Sequence, residues 1–224
     1  MGAYDLPRMV KIMSDSAPAD HPCLKIGAAV FGGATLKTHW EKGEEPGTPR
    51  TMISTGKWDY VIIQEIYNAN KQDFEKYAAL LDKAIRKTGA KTILFATANI
   101  TQHYKGSHGC RYPDSFKKLN GMQVRFGKKY GIPVAAAGYA WMKYLGQKPS
   151  DKKLLDLYHK DKGHPGLKGS YIYACLLYTV LTGKNPAGLT GKFKDIRGGF
   201  SISKKEAAKM QKAAWDLYLE NNKK

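Results

Sequence analysis

The chain has 224 residues, with 37 Lys and Arg against 19 Asp and Glu, giving a formal net charge of +18. That length suits one sizeable domain, and a hydrophobic share of 42% supports a full core, which argues against a largely disordered chain. The basic pairs Lys128-Lys129, Lys152-Lys153, Lys204-Lys205 and Lys223-Lys224 are dispersed, so the excess reads as a solvated surface. No helix-turn-helix, zinc-finger or RNA-recognition pattern accompanies it, which argues against a nucleic-acid partner. An anionic polysaccharide or an acidic ester substrate suits the charge.

Taken in order, Asp5-Leu6-Pro7 reads as a helix start, with Leu6, Met9, Val10 and Met13 on one face. Leu24 to Val30 is a short apolar run ending in Phe31-Gly32-Gly33, read as a strand entering a tight turn. Leu36 to Trp40 suits a short helix, and Glu41 to Pro49 a charged loop. Trp58 to Gln64 is a second strand, apolar without alternation, as expected of one covered on both faces. Phe74, Tyr77, Ala78, Leu81 and Ile85 mark a helix closed by Gly89, and Thr92 to Ala96 a third strand. The segment from Thr97 to Tyr112, with His103, Gly106, His108 and Gly109, has the composition of a functional loop.

Pro113-Asp114 opens a helix with Phe116, Leu119, Met122, Phe126 and Tyr130 on its apolar side, ending at Gly131. Ile132 to Ala136 is a fourth strand and Ala140 to Leu145 a short helix. Tyr171, Ala174, Cys175, Leu177, Tyr178 and Leu181 recur at helical spacing, with Pro165 suited to a first helical position. Ser203 to Leu219 is a last amphipathic helix. Strands alternate with helices, so the expected fold is a three-layer α/β/α sandwich on a parallel sheet, with residues 1–224 forming a single domain.

Cys23, Cys110 and Cys175 are too few and too dispersed for a disulfide framework; Cys23 and Cys175 read as buried small hydrophobes and Cys110 as exposed. No stretch approaches the roughly 20 apolar residues of a membrane span, and no signal peptide opens the chain.

The chemistry points to the stretch from Leu157 to Gly183, where Asp161 and His164 sit three residues apart in a polar loop before a helix. A carboxylate that fixes one imidazole nitrogen leaves the other free as a general base. The plain alternative has Asp161 capping the turn and His164 idle. In a doubly wound sheet, ligands bind beyond the carboxyl ends of the strands. There the Gly32-Gly33 turn offers bare backbone N–H groups, and Gln64, Glu65, Asn68 and Asn70 follow the second strand. Such donors facing an Asp–His pair suit acyl transfer, with an oxyanion stabilised and a proton shuttled.

In their joint order these residues resemble the SGNH (GDSL-like) hydrolases, in the carbohydrate-esterase-like branch, over nearly the whole chain. Gly33 matches the family's Gly block, and Asp161 and His164 its Asp-x-x-His block before a late helix. Trp58 to Asn70 lies where the family's Asn block belongs but departs from the Gly-x-Asn-Asp wording, so Gln64 or Asn68 is the expected donor, with Gln64 preferred because it directly ends the strand. The resemblance implies a flavodoxin-like SGNH fold, a small ester or acetylated carbohydrate substrate, no cofactor or metal, and a secreted or periplasmic setting. It also implies a first strand and a Gly-Asp/Asn-Ser turn ahead of the helix at Leu6. Met1-Gly2-Ala3-Tyr4 is too short for that strand, and Ser14 and Ser16 fall near a helix end. The expectation is therefore a chain that begins inside the family's domain, lacking the first strand and the nucleophile.

Two other readings stand beside the ester hydrolase. One is a non-catalytic relative that binds glycan or anionic polymer through its cleft and lysine surface. The other is a metal-dependent hydrolase using His103, His108 and Cys110, whose irregular spacing lacks a paired ligand motif.

Overall fold

The structure, a computed structural model, describes residues 5–66, 69–98, 112–161, 163–196 and 198–222. These form α1 (Leu6–Asp15), α2 (Leu36–Glu41), α3 (Pro49–Thr55), β1 (Tyr60–Ile63), α4 (Lys71–Lys87), β2 (Lys91–Ala96), α5 (Asp114–Tyr130) and β3 (Val134–Ala136). They continue with α6 (Ala137–Leu145), α7 (Asp151–Leu155), α8 (Leu167–Thr182), β4 (Lys192–Phe193), β5 (Phe200–Ser201) and α9 (Lys204–Asn221). The chain gathers into two compact units. One comprises the described residues within Met1–Ala28, Ala98–Lys117 and Ala137–Lys224, the other those within Ala29–Thr97 and Lys118–Ala136.

The second unit holds the parallel sheet, ordered β1-β2-β3, with Tyr60 opposite Lys91 and Leu94 opposite Val134. Parallel neighbours require a crossover, which α4 and α5 provide. The apolar stripe of α4 (Phe74, Tyr77, Ala78, Leu81, Ile85) is buried in one cluster with Ile63, Leu94, Phe126 and Ile132. The Phe74 and Phe126 rings lie 5.0 Å apart. Asn70 caps α4, its side chain accepting from Gln72 N at 2.7 Å. Gly89 and Gly131 take positive φ values of 84° and 65°, turning the chain from each helix into the next strand.

The first unit is helical around α8. That helix is apolar on nearly every side, with buried residues from Gly169 to Thr179, and so packs against several partners at once: α1, α6 and α9. α1 presents Leu6, Met9, Val10 and Met13 to this core. α9 opens with a Ser203/Glu206 capping pair, the Ser203 hydroxyl accepting from Glu206 N at 3.3 Å. Trp141 of α6 is fully buried; its Nε1 donates to Gly169 O at 3.1 Å, and its ring stacks on Tyr173 with centroids 5.2 Å apart.

Several expectations need correction. Leu24–Val30 forms no strand: it is irregular and largely exposed, and Leu24 N is taken by the Ser14 hydroxyl at 2.9 Å. Gly27, Ala28 and Ala29 interrupt the run with residues of low strand propensity. Cys23 is exposed, whereas Cys175 is buried as expected. Pro165 is not a first helical residue; it forms a β-bridge with Tyr158, and α8 begins at Leu167 behind Gly166. α3, α7 and the β4–β5 hairpin were not anticipated. The expected loop at Thr97–Tyr112 lies outside the described residues from 99 to 111, taking His103, His108 and Cys110 with it. Among the described residues no helix is long and apolar enough to cross a membrane.

Glycine at 169 is dictated by close approach. A Cβ there would stand 2.2 Å from Trp141 Cζ2 and 2.3 Å from Leu157 O. Gly→Ala inside a helix ordinarily stabilises by about 0.5–1 kcal/mol, but here overpacking of about 1–3 kcal/mol dominates. Gly169→Ala should therefore lower the urea midpoint of the protein, and an unchanged or raised midpoint would contradict this packing.

Candidate active site

The Asp161–His164 loop is closed at its base by backbone bonds. Gly166 N donates to Leu157 O and His159 N donates to His164 O, both at 2.8 Å. Leu157 is fully buried, and Tyr158 is buried with its ring edge-on to Trp141 at 5.0 Å. Gly166 is required here, because a Cβ would meet Tyr158 O at 2.5 Å. The loop thus stands on the helical core while its tip faces solvent.

At the tip, one carboxylate makes three bonds. Asp161 Oδ1 accepts from Gly163 N at 2.8 Å and His164 N at 3.0 Å, and Oδ2 lies 2.8 Å from His164 Nδ1. Burial pushes the carboxyl upward, but the two backbone donors and the His164 ring outweigh it and hold Asp161 well below the usual carboxylate range. An ionised carboxylate only accepts, so His164 Nδ1 carries a proton, and in the neutral ring Nε2 is then the nitrogen with the lone pair. The ring is 71% exposed, leaving Nε2 reachable from solvent. The two readings of this loop are therefore compatible, since Asp161 closes the turn and grips the imidazole together.

His159 was missed in the sequence. Its Nδ1 lies 3.3 Å from the same Asp161 Oδ2, so two imidazoles flank one carboxylate oxygen. The available signal was a second histidine two residues before the acid, on the opposite limb of the loop.

The proposed donors lie in the sheet-bearing unit. Gly33 follows no strand; it sits in an exposed turn with φ of 71°, and among the described residues nothing accepts its N–H. Gln64 directly follows β1, and its Oε1 is buried without a hydrogen-bond donor among the described residues. Leaving such an acceptor unpaired costs about 1–3 kcal/mol; the oxygen itself cannot serve an oxyanion, which only the Nε2–H group of the same amide could bind. Asn68 lies outside the described residues.

Glu65, grouped in the sequence with neighbouring amides, is buried at 2% exposure. Its Oε1 accepts from Ile66 N at 2.8 Å, and both oxygens lie 3.3 Å from Leu36 N. It ties the end of β1 to the start of α2, just after the Gly32-Gly33 turn. Burial pushes its carboxyl above the ordinary glutamate value.

The α/β topology with its parallel sheet is an SGNH-like α/β/α hydrolase fold. A DUF4886 family protein from Bacteroides uniformis matches it with a TM-score of 0.63 at 18% identity, over 86% of this chain and 82% of that one. A protein from Slackia heliotrinireducens, described as "a putative SGNH hydrolase", matches with a TM-score of 0.59 at 18% identity, over 79% and 90%. No family model matches the sequence, and no curated protein does.

A carboxyl depressed in the folded state adds stability above its unfolded value and loses it as pH falls through the folded one. Asp161→Asn should therefore be less stable than the parent at neutral pH, the gap closing in acid below the usual carboxylate range. Solvent around a carboxylate that is 45% exposed keeps this gap small. Urea midpoints across pH check it, and a gap independent of pH would contradict the assignment.

Proposed function

We propose that this protein is an SGNH-type ester hydrolase that removes acyl groups from carbohydrate, with His164 as general base and Asp161 as the residue that orients it. Gly33 N–H and the Gln64 amide are the oxyanion donors of this reading, with Asn68 as a further candidate. The observation that carries it is the 2.8 Å contact between Asp161 Oδ2 and His164 Nδ1, made by a carboxylate already locked by two backbone donors. The Gly33 N–H, which nothing accepts among the described residues, supports its donor role, and the order of Gly33 and Gln64 along the chain supports both.

The reading calls for a serine hydroxyl within reach of His164 Nε2. That nitrogen takes the hydroxyl proton as the oxygen attacks the acyl carbon, and the donors hold the resulting oxyanion. The imidazolium then protonates the departing sugar oxygen, and water, activated by the same nitrogen, releases the acid. Ser14 and Ser16 do not suit the nucleophile's part. The Ser14 hydroxyl accepts from Leu24 N, and the Ser16 hydroxyl donates to Met13 O while accepting from Thr190 N.

The test is hydrolysis of a short-chain aryl acetate by the full-length gene product, including any in-frame residues encoded upstream of Met1. His164→Ala should lower kcat/KM by a factor on the order of 10²–10⁴, the usual range for removing a general base. Asp161→Asn should lower it in the same direction while KM changes little, because it disturbs the base and not ester binding. Should the parent protein be as inert as His164→Ala, the hydrolase reading is wrong.

A further inference from the structure

Lysines that are scattered along the sequence converge at one end of the parallel sheet. All three strands point the same way, so the last turns of α4 and α5 come to the amino end of the sheet, where β1 and β2 begin. Arg86 and Lys87 close α4, and Lys128 and Lys129 close α5. Arg86 Nη2 donates to Tyr130 O at 3.3 Å, joining the two helix ends. Lys91 opens β2 opposite Tyr60, with its N–H on Asp59 O at 2.9 Å, and Lys57 leads into β1. All six cations are exposed. Against them stand Asp59 and Asp82, and Asp82 is already bound by Arg86 at 2.8 Å. Among the described residues no carboxylate pairs with Lys57, Lys87, Lys91, Lys128 or Lys129. Last-turn cations complement helix dipoles, but Lys57 and Lys91 lie outside any helix and extend the same charge across the strand ends.

We infer that the amino end of this sheet is a docking surface for an acidic polysaccharide. Charge complementarity selects a polyanion, whose condensed counterions are released as the lysines engage it. The side-chain chemistry selects among polyanions. Five of the six cations are lysines and Arg86 is committed to Asp82 and Tyr130 O, so the surface presents mostly ammonium point charges, with the exposed Arg125 one turn back on α5 beside them. The exposed rings of Tyr60 and Tyr130 each carry an ammonium nearby, Lys91 Nζ at 5.9 Å and Lys129 Nζ at 5.0 Å from the centroids. Those rings steady the lysines instead of presenting bare platforms for stacked bases. Spaced carboxylates on a saccharide chain suit such an array of point charges. This inference stands on the sheet-bearing unit alone and is independent of the hydrolase reading.

Binding of fluorescent polygalacturonate at low salt tests it, using the whole chain and two triple variants of equal net charge. The first carries Lys87→Glu, Lys91→Glu and Lys128→Glu; the second, a control on α9, carries Lys204→Glu, Lys205→Glu and Lys209→Glu. The first should weaken binding by on the order of tenfold or more, with the control close to the parent, and binding should fall steeply with added salt. Lys→Gln versions at the same positions replace any Glu variant whose melting temperature drops. Equal weakening in both sets would reduce the effect to net charge and overturn the inference. Absent binding by the parent would do the same, as would tighter binding of single-stranded DNA of matched charge, which would reassign the surface to nucleic acid.

Discussion

A single carboxylate sets the geometry on which the functional account rests. Asp161 spends one oxygen on the backbone of its own turn and the other on the His164 ring. Charge-assisted bonds of this kind are roughly twice as strong as neutral ones, so closing the turn and orienting the imidazole are one event. The same bonds keep the acid ionised, and the ionised acid fixes which ring nitrogen bears the proton. His159 approaches the same oxygen from the other limb, which concentrates two imidazoles on one negative charge at an exposed tip.

What holds that tip steady is the aromatic packing beneath it. Tyr158 meets Trp141 edge-on, Trp141 stacks on Tyr173, and the tryptophan N–H is anchored on Gly169 O. These contacts demand glycine at 166 and 169, where any side chain would strike backbone or ring. The polar loop therefore stands on a rigid apolar floor, as a catalytic constellation requires of its supporting residues. In the sheet-bearing unit Glu65 has a comparable role, bridging β1 and α2 from a buried position.

The parts that were legible in the sequence were those whose signal is local. The stripes of α1 and α4 repeat at three- and four-residue spacing and are buried as read. Asp161 and His164 are three residues apart, so their contact follows from one turn. The start of α3 has a local signal too, Thr48 ahead of Pro49, which the structure shows as a cap and first helical residue. The β4–β5 strands span two residues each, too short for periodicity to register. Leu24–Val30 has the apolar content of a strand, but Gly27, Ala28 and Ala29 leave it without the propensity to form one. The basic surface was illegible for another reason: its lysines come from α4, α5 and the strand starts, and only the parallel topology collects them.

The central claim is that Asp161 holds His164 as the Nδ1–H tautomer with Nε2 open. A long-range ¹H–¹⁵N correlation spectrum of the imidazole rings, recorded with His164→Gln for assignment, tests it most directly. The account predicts that the neutral His164 ring is protonated at Nδ1, and that Asp161→Asn shifts it toward the Nε2–H form which free imidazole side chains favour. A neutral ring protonated at Nε2 in the parent protein would contradict it.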